Sequence, residues 1–326
     1  MQKLIQEIAF LSTELWKEFI YVLPFFILGV AIDSVIRTFK LHLKLRSAIE
    51  KLGYFAIPGA MLAGVLSPVC ACGILPVAVS LLINGVPLAP VMTVLVSSPL
   101  MSPSAYTLTA WELGRDWANA KIVSSIFMGL FAGYVTLFFQ KKYFKSNELF
   151  KGETPKHDVH DPDADPRIQC LCHDKLSNRL ASEGKNKFII FGAKFLEGFW
   201  AIGKFTLIGL TVEIIGLRYL PTELIEKVIY SRSPWMIPIV IISSVPLHVN
   251  QITAAAILYG FIEKGMTIPW GVGMAFLVGG PVTALPVMAT FLAMFRKRVF
   301  CLYLGICLIG SLIVGYTFYF LGKQLG

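Results

Sequence analysis

The chain has 326 residues, of which 56% are hydrophobic and only 15% are charged. About a quarter of the residues in an ordinary soluble domain are charged, so this composition excludes a typical water-soluble protein. The formal net charge is +9, but the basic residues lie in loops beside apolar runs, where anionic lipid and the positive-inside rule explain them, so we expect no nucleic-acid partner.

Eight apolar runs predict an all-α, polytopic membrane protein embedded in a lipid bilayer. Most of them reach the roughly 20 residues with which an α-helix crosses about 30 Å of hydrocarbon. Residues 1–19 mix charges at helical spacing and predict an interfacial amphipathic helix, which we expect to be retained rather than cleaved as a signal. In chain order, the runs are residues 15–36, 54–83, 87–110, 122–139, 199–217, 236–259, 268–295 and 299–321.

One long polar stretch divides the chain into two parts that resemble each other. Gly29 and Asp33 have counterparts 180 positions later, in Gly209 and Glu213. Two proline pairs recur in the same way at an offset of 182 positions, Pro87 with Pro269 and Pro99 with Pro281. Because four matches fall at nearly one offset, the sequence predicts two homologous halves.

The loop charges indicate how the halves are oriented. Basic residues cluster after the first run, at both ends of the polar stretch and before the last run. The positive-inside rule places all three loops in the cytoplasm, which eight simple crossings cannot do. The conflict disappears if 54–83 and 236–259 are broken hairpins that return to the side from which they entered. Their breakers are Pro68, Gly73 and Pro76 in the first hairpin and Pro246 in the second.

The predicted fold is therefore two inverted halves, each with three spanning helices plus a broken re-entrant hairpin. Eight plain helices in two parallel halves are the alternative. The predicted domains are an N-terminal membrane repeat at 1–140, a polar cytoplasmic linker at 141–190 and a C-terminal membrane repeat at 191–326.

The sharpest chemical feature is a Cys-x-Cys pair, Cys70 and Cys72, in the proline- and glycine-rich part of the first hairpin. Residues two apart on an α-helix point about 200° away from each other, whereas in extended backbone they lie on the same face. If the chain is unwound here, both thiolates can bind one soft ion such as Cu(I), Zn(II) or trivalent arsenic. The alternative is two small apolar cysteines that pack in a helix interface.

The second hairpin and two acidic residues supply further candidates. His248 and Asn250 stand where the first hairpin has thiols; the imidazole can complete a metal site or carry a proton, or be only structural. Asp33 and Glu213 are candidates for proton coupling, because a carboxylate inside a span is costly unless it is paired, hydrated or protonated. Asp33 can alternatively face interface water at the end of its helix.

Two breaks rich in serine, glycine and proline interrupt other runs, at 97–103 and 279–283. Such breaks free backbone carbonyls and bring hydroxyls into the span, so they predict a lining for the transport pathway, or else simple kinks. The candidate ligands are Ser98, Thr283 and the soft thioether of Met101.

The linker carries its own histidines and cysteines, which are metal-ligand residue types. Their spacing fits no zinc-finger template, so the prediction is a weak sensing or delivery site on a flexible loop, with an ordinary polar linker as the alternative. These residues are His157, His160, Cys170, Cys172 and His173.

Three segments of the first half resemble a known family. They are the Cys-Ala-Cys-Gly-Ile-Leu-Pro stretch after Ser67-Pro68, the Asn-Gly-Val-Pro that follows it, and the Ser-Ser-Pro-x-x-Ser-Pro of the next run. The chain is similar here to the predicted-permease family that contains the bacterial organoarsenical efflux permeases. The resemblance implies a bacterial inner-membrane exporter with Cys70 and Cys72 as ligands, and the linker looks more like the family's copper/zinc efflux branch.

We therefore expect a secondary-active inner-membrane permease that exports copper or zinc. An efflux permease for trivalent organoarsenicals is the alternative, and a non-transporting metal sensor or thiol-redox membrane protein is another. No P-loop, nucleophile elbow or dinucleotide fingerprint occurs, so we expect neither ATP-driven pumping by this chain nor enzyme activity. No cofactor is expected besides the transported ion, and the sequence leaves the oligomeric state open.

Overall fold

The structure is a computed structural model, and it describes most of both membrane halves. The described residues are 2–39, 41–67, 71–83, 85–143, 186–219, 233–245, 251, 253–283 and 285–325. Every regular element within these ranges is helical, which confirms the all-α prediction for this part of the chain. Most of the predicted linker lies outside the described residues.

The first half contains two long helices with shorter helices between them. Its helices are α1 (Gln2–Thr38), α2 (Leu41–Leu52), α3 (Ala56–Leu66), α4 (Ala71–Ile83), α5 (Leu88–Ser97), α6 (Pro103–Glu112) and α7 (Arg115–Tyr143), with a 3₁₀ turn, Gly53–Phe55, before α3. The second half repeats this order without a counterpart of α2 among the described residues. Its helices are α8 (Lys187–Tyr219), α9 (Met236–Ser244), α10 (Thr253–Glu263), α11 (Trp270–Val282), α12 (Leu285–Met294) and α13 (Lys297–Leu325).

The first helix is longer than the interfacial segment predicted at residues 1–19. α1 runs through that segment and the first apolar run as one helix of 37 residues. Neither glycine nor proline occurs between Gln2 and Leu23, so nothing stops the helix where the charged residues end. Pro24 lies inside α1.

Both predicted hairpin breaks are confirmed. α3 ends at Leu66, Ser67 is extended, and α4 begins at Ala71. In the second half, α9 ends at Ser244 and α10 begins at Thr253. The four helices have between 9 and 13 residues, far fewer than the roughly 20 that span a bilayer. Eight uninterrupted helices therefore do not describe this chain.

The third run of each half is also broken, at the predicted serine- and glycine-rich segments. Runs 87–110 and 268–295 each form two helices of 10 to 13 residues, where three uninterrupted spans per half were expected. Prolines in and beside these segments remove backbone donors, which explains the interruption. Among the described helices, two segments are long and apolar enough to cross a bilayer, Arg115–Gln140 within α7 and Lys297–Gly322 within α13.

The broken pair α5–α6 nevertheless follows one long helix. The Ala89 amide near the start of α5 donates to Gln140 Oε1 at 3.3 Å. Near the end of α6, Thr109 Oγ1 lies 3.3 Å from Lys121 Nζ. Because the partners on α7 descend in number as the chain advances, α5 and α6 together run antiparallel to α7.

Each half packs its helices through glycine at equivalent positions. A Cβ on Gly133 of α7 would collide with Thr93 of α5 and Ile57 of α3. A Cβ on Gly315 of α13 would lie 3.0 Å from Ala275 Cβ of α11 and 2.6 Å from Ile237 Cγ2 of α9. Ile237 stands 180 positions after Ile57. Ala275 stands 182 positions after Thr93, and Gly315 stands 182 positions after Gly133.

A serine and a glycine meet at a second pair of equivalent contacts. In the first half, Gly64 of α3 packs against Ser97 of α5, so closely that a Cβ on Gly64 would collide with Ser97 Oγ. In the second half, Gly279 of α11 would place a Cβ 3.4 Å from Ser244 Oγ of α9. In the first half the glycine lies on α3 and the serine on α5. In the second half the serine lies on α9, the counterpart of α3, and the glycine lies on α11, the counterpart of α5.

The halves meet along both long and short helices. α1 contacts α8, with the rings of Phe26 and Phe199 centred 5.4 Å apart. α7 contacts α13 where Met128 Sδ lies 2.5 Å from a Cβ built on Gly310. Short helices also cross between the halves, since α6 contacts α10 and α4 contacts α12.

The end of α11 is held by a phenol from α13. Tyr303 Oη donates to the Val282 carbonyl at 2.6 Å, and both residues are buried. Tyr303→Phe is expected to destabilise the protein by about 1–3 kcal/mol, because a buried carbonyl loses its partner. Thermal unfolding in detergent measures this. Tyr316→Phe, on the same helix but half-buried, is the control, and equal midpoints for both variants would contradict the expectation.

Candidate functional site

The break of α5–α6 and the break of α9–α10 are joined at Gln251. Gln251 Nε2 donates to Ser102 Oγ at 3.1 Å, and both residues are buried. Ser102 Oγ also accepts from the Ala105 amide at 3.2 Å and so caps α6. The chain that directly follows the predicted ligand Asn250 is therefore tied to the first-half break.

A buried lysine completes this junction. Lys121 of α7 is 0% exposed. Its ammonium donates to the Gln251 carbonyl at 2.8 Å and to Thr109 Oγ1 at 3.3 Å. One side chain of the first half thus holds a backbone oxygen of the second half. We call Ser102, Thr109, Lys121 and Gln251 the lysine junction.

Sequence reasoning missed Lys121. It directly precedes the apolar run 122–139, where a lysine is typical of a loop, and its partner Gln251 lies 130 positions away. One signal was available. Small residues flank Lys121 at helical spacing, Ala118 before it and Ser125 and Gly129 after it, which indicates a closely packed helix face rather than a solvated one.

Glu112 lies near the junction and is half-buried. Its Oε2 atom is buried and has no hydrogen-bond partner among the described residues, and the same is true of Gln251 Oε1. Burial raises the pKa of the Glu112 carboxyl, and the charge of Lys121 opposes that rise. Two buried oxygens at or near the lysine junction, Glu112 Oε2 and Gln251 Oε1, can therefore still accept a hydrogen bond.

The backbone at Cys72 differs from the prediction. α4 begins at Ala71, so Cys72 is helical, and the expectation that it lies in extended chain is wrong. Gly73 and Pro76 are accommodated inside the helix rather than unwinding it. Because Pro76 has no N–H, the backbone carbonyl of Cys72 lacks the donor that it would have in a regular helix. This oxygen and the thiol therefore belong to the same residue.

The surroundings of α4 are tightly packed. Residues 73–80 are all buried. A Cβ on Gly29 of α1 would collide with the Gly73 carbonyl, so the two backbones touch. α4 also contacts α12, the helix that follows Thr283. α4 therefore packs against both α1 and the helix that follows the second-half break.

The other predicted residues within the described ranges are mostly enclosed. Asp33 is 0% exposed, and its Oδ2 lies 3.8 Å from a Cβ built on Gly198 of α8, so the alternative of a residue facing interface water is wrong.

Ser98 and Met101 are buried at the first-half break. Thr283 Oγ1 donates to the Gly279 carbonyl at 2.8 Å and keeps only its lone pairs for a ligand. Glu213 belongs to α8, but its side chain lies outside the described residues.

Several predicted ligands lie wholly outside the described residues and stay predictions. Within the described ranges, no three histidine, cysteine or acidic residues form a group that could hold a metal. The residues outside are Cys70, His248, Asn250, His157, His160, Cys170, Cys172 and His173.

Comparison with known proteins gives one family and one relative to report. The model of a family described as "Predicted permease" matches residues 11–320. The UPF0718 protein YcgR of Bacillus subtilis (strain 168) is 26% identical over 308 residues, which cover 90% of this chain and 93% of that protein. No solved structure gives a significant match.

Proposed function

The chain belongs to the predicted-permease family, and from this premise we propose that it is a multi-pass permease of a bacterial inner membrane. Its proposed task is the export of a thiophilic metal ion, copper or zinc, by secondary active transport. Family membership itself supports a membrane transporter rather than an enzyme. The observation that carries the proposal furthest is the meeting of broken helices from both halves, because transporters bind substrate where discontinuous helices line a cavity.

The proposed architecture is an inverted repeat. The glycine contacts at Gly133 and Gly315 support duplication, since each involves the equivalent three helices. The reciprocal crossings, α6 on α10 and α4 on α12, support a pseudo-two-fold relation between the halves. In this proposal the hairpins α3–α4 and α9–α10 are re-entrant, and the linker at 141–190 is cytoplasmic with its histidines and cysteines forming a delivery site.

A soft cargo is proposed because of Cys70 and Cys72. Two thiolates select soft ions, and Cu(I) is the ion that also accepts a thioether such as Met101. Zn(II) would require more ligands, which His248 and Asn250 would supply from the second hairpin. A trivalent organoarsenical is the second candidate, which the resemblance to the organoarsenical efflux permeases supports.

Proton coupling is part of the proposal, since export of a metal ion usually opposes its gradient. The complete burial of Asp33 between α1 and α8 supports this residue as one proton carrier. Its counterpart Glu213 on α8 is the other candidate from the sequence.

Everted membrane vesicles test the cargo directly. Uptake of Zn(II), Cu(I) and methylarsenite is measured with and without an imposed proton gradient, with vesicles lacking the protein and with Mg(II) as controls. We expect gradient-dependent uptake of at least one soft ion and none of Mg(II). If no soft ion enters although the protein confers metal tolerance on cells, a non-transporting sensor or thiol-redox protein is the better explanation.

A further inference from the structure

The charge of Lys121 calls for an explanation beyond packing. Both acceptors that hold its ammonium, the Gln251 carbonyl and Thr109 Oγ1, are neutral, and the side chain is 0% exposed. An ionisable side chain inside a membrane protein is costly, and where it occurs it usually serves ion or proton movement. A merely structural donor at this position would not need to be a cation.

The second half shows what a structural donor looks like. Tyr303 of α13 stands 182 positions after Lys121, at the same offset as Gly315 from Gly133. It donates to the Val282 carbonyl of its own half at 2.6 Å. A neutral phenol therefore suffices to hold a carbonyl at a helix break. Lys121 differs in two ways, because it is a cation and because the carbonyl it holds belongs to the other half.

We propose that Lys121 Nζ is a proton-binding site that controls the contact between the two halves. With its proton bound, the ammonium holds Gln251, just before α10, and so keeps α10 against α6. When an N–H bond breaks, the electron pair stays on Nζ and the proton passes to water. The remaining amine makes a weaker hydrogen bond, since charge-assisted bonds are roughly twice as strong as neutral ones, and α10 is released.

The neighbours of Lys121 are consistent with one exchangeable proton. Glu112 of α6 is the charged group that acts on Lys121 among the described residues, and α3, α5, α11 and α13, which also pack on α7, contribute none there. Tyr259 of α10 interacts with Glu112 in turn and bonds Glu263. The buried oxygens Gln251 Oε1 and Glu112 Oε2, which lack hydrogen-bond partners among the described residues, can accept from water that carries the proton away.

The site deepens the proposed function and rests on it for the cargo. An ammonium and an arriving metal cation repel each other strongly in a low-dielectric interior. Binding of the cation at the helix breaks then favours the neutral amine, so one proton leaves Lys121 for each ion. Lys121 would thus couple the proton gradient to the movement of the halves.

The pH dependence of α10 tests the proton site without any cargo. Hydrogen–deuterium exchange of the α10 amides is measured in nanodiscs at several pH values and corrected for intrinsic exchange rates. In the wild type, protection should fall about five- to tenfold as pH rises through the titration of Lys121. Lys121→Arg stays charged and should keep α10 protected at every pH, whereas Lys121→Met should leave it unprotected at every pH.

Lys204→Met removes an exposed lysine from α8 and should behave as the wild type. Protection that does not change with pH in the wild type, or that falls equally in Lys121→Arg, would overturn the proposal; the arginine variant keeps this test available if the methionine variant does not fold. The vesicle assay is separate. If the wild type exports none of the ions but α10 responds to pH as expected, the proposed cargo fails and the proton site stands.

Discussion

Serine at both Cys70 and Cys72 is expected to lower soft-ion export by about a hundredfold or more, because hydroxyl oxygen is a poor ligand for soft cations. Serine is nearly isosteric with cysteine, so α4 should keep its fold. Uptake into everted vesicles measures the loss, and binding of the ion to purified protein in detergent shows whether affinity is lost with it.

Cys301→Ser is the matched control. Cys301 lies on α13 and is exposed, so its replacement should leave export unchanged. The single variants Cys70→Ser and Cys72→Ser separate the two thiols. Since Cys72 is helical, unequal losses in the single variants are expected. Export by the double variant at the wild-type rate would remove both cysteines from the proposed site.

Gly29→Ala is expected to destabilise the protein by about 3 kcal/mol or more, at the upper end of what overpacking a core costs. The added Cβ would collide with the carbonyl of Gly73. A backbone atom cannot move aside as a flexible side chain can, so α1 must shift away from α4. Gly73 directly follows Cys72, so export should fall as well. Thermal unfolding in detergent and vesicle uptake measure the two effects.

The same change at Gly192 provides the contrast. A Cβ on Gly192 of α8 meets nothing within 4 Å, so Gly192→Ala should only gain helix propensity, worth up to about 1 kcal/mol. An unfolding midpoint for Gly29→Ala that equals the wild type would show that α1 and α4 do not touch as described.

Features that depend on local chemistry were predictable from the sequence. Proline removes a backbone donor wherever it stands, so the interruptions near Pro68, Pro99 and Pro281 follow from the residues themselves. The position of a helix end within a proline- and glycine-rich segment is less determined. α4 includes both Gly73 and Pro76 because a proline inside a helix can be offset by packing, and here residues 73–80 are all buried.

Features that depend on distant contacts were not predictable. The environment of Lys121 is made by Gln251, which is 130 positions away, and no periodic pattern within one helix reveals such a partner. The burial of Asp33 likewise depends on α8, whose Gly198 lies beside the carboxyl group. The sequence identified which segments are broken, whereas the structure was needed to show which breaks meet.

The exchanged serine and glycine carry a consequence for how the two halves diverged. One contact has Gly64 opposite Ser97, and its counterpart has Ser244 opposite Gly279. If both descend from one ancestral half, either one lineage replaced both members of the pair or each lineage replaced one member of a glycine–glycine pair. A serine at both positions would overfill the first contact, because a Cβ on Gly64 already collides with Ser97. In the first half, therefore, serine at position 97 is compatible only with glycine at position 64, whereas the second contact, at 3.4 Å, carries no such restriction. Positions 64 and 97 should accordingly covary in descendants.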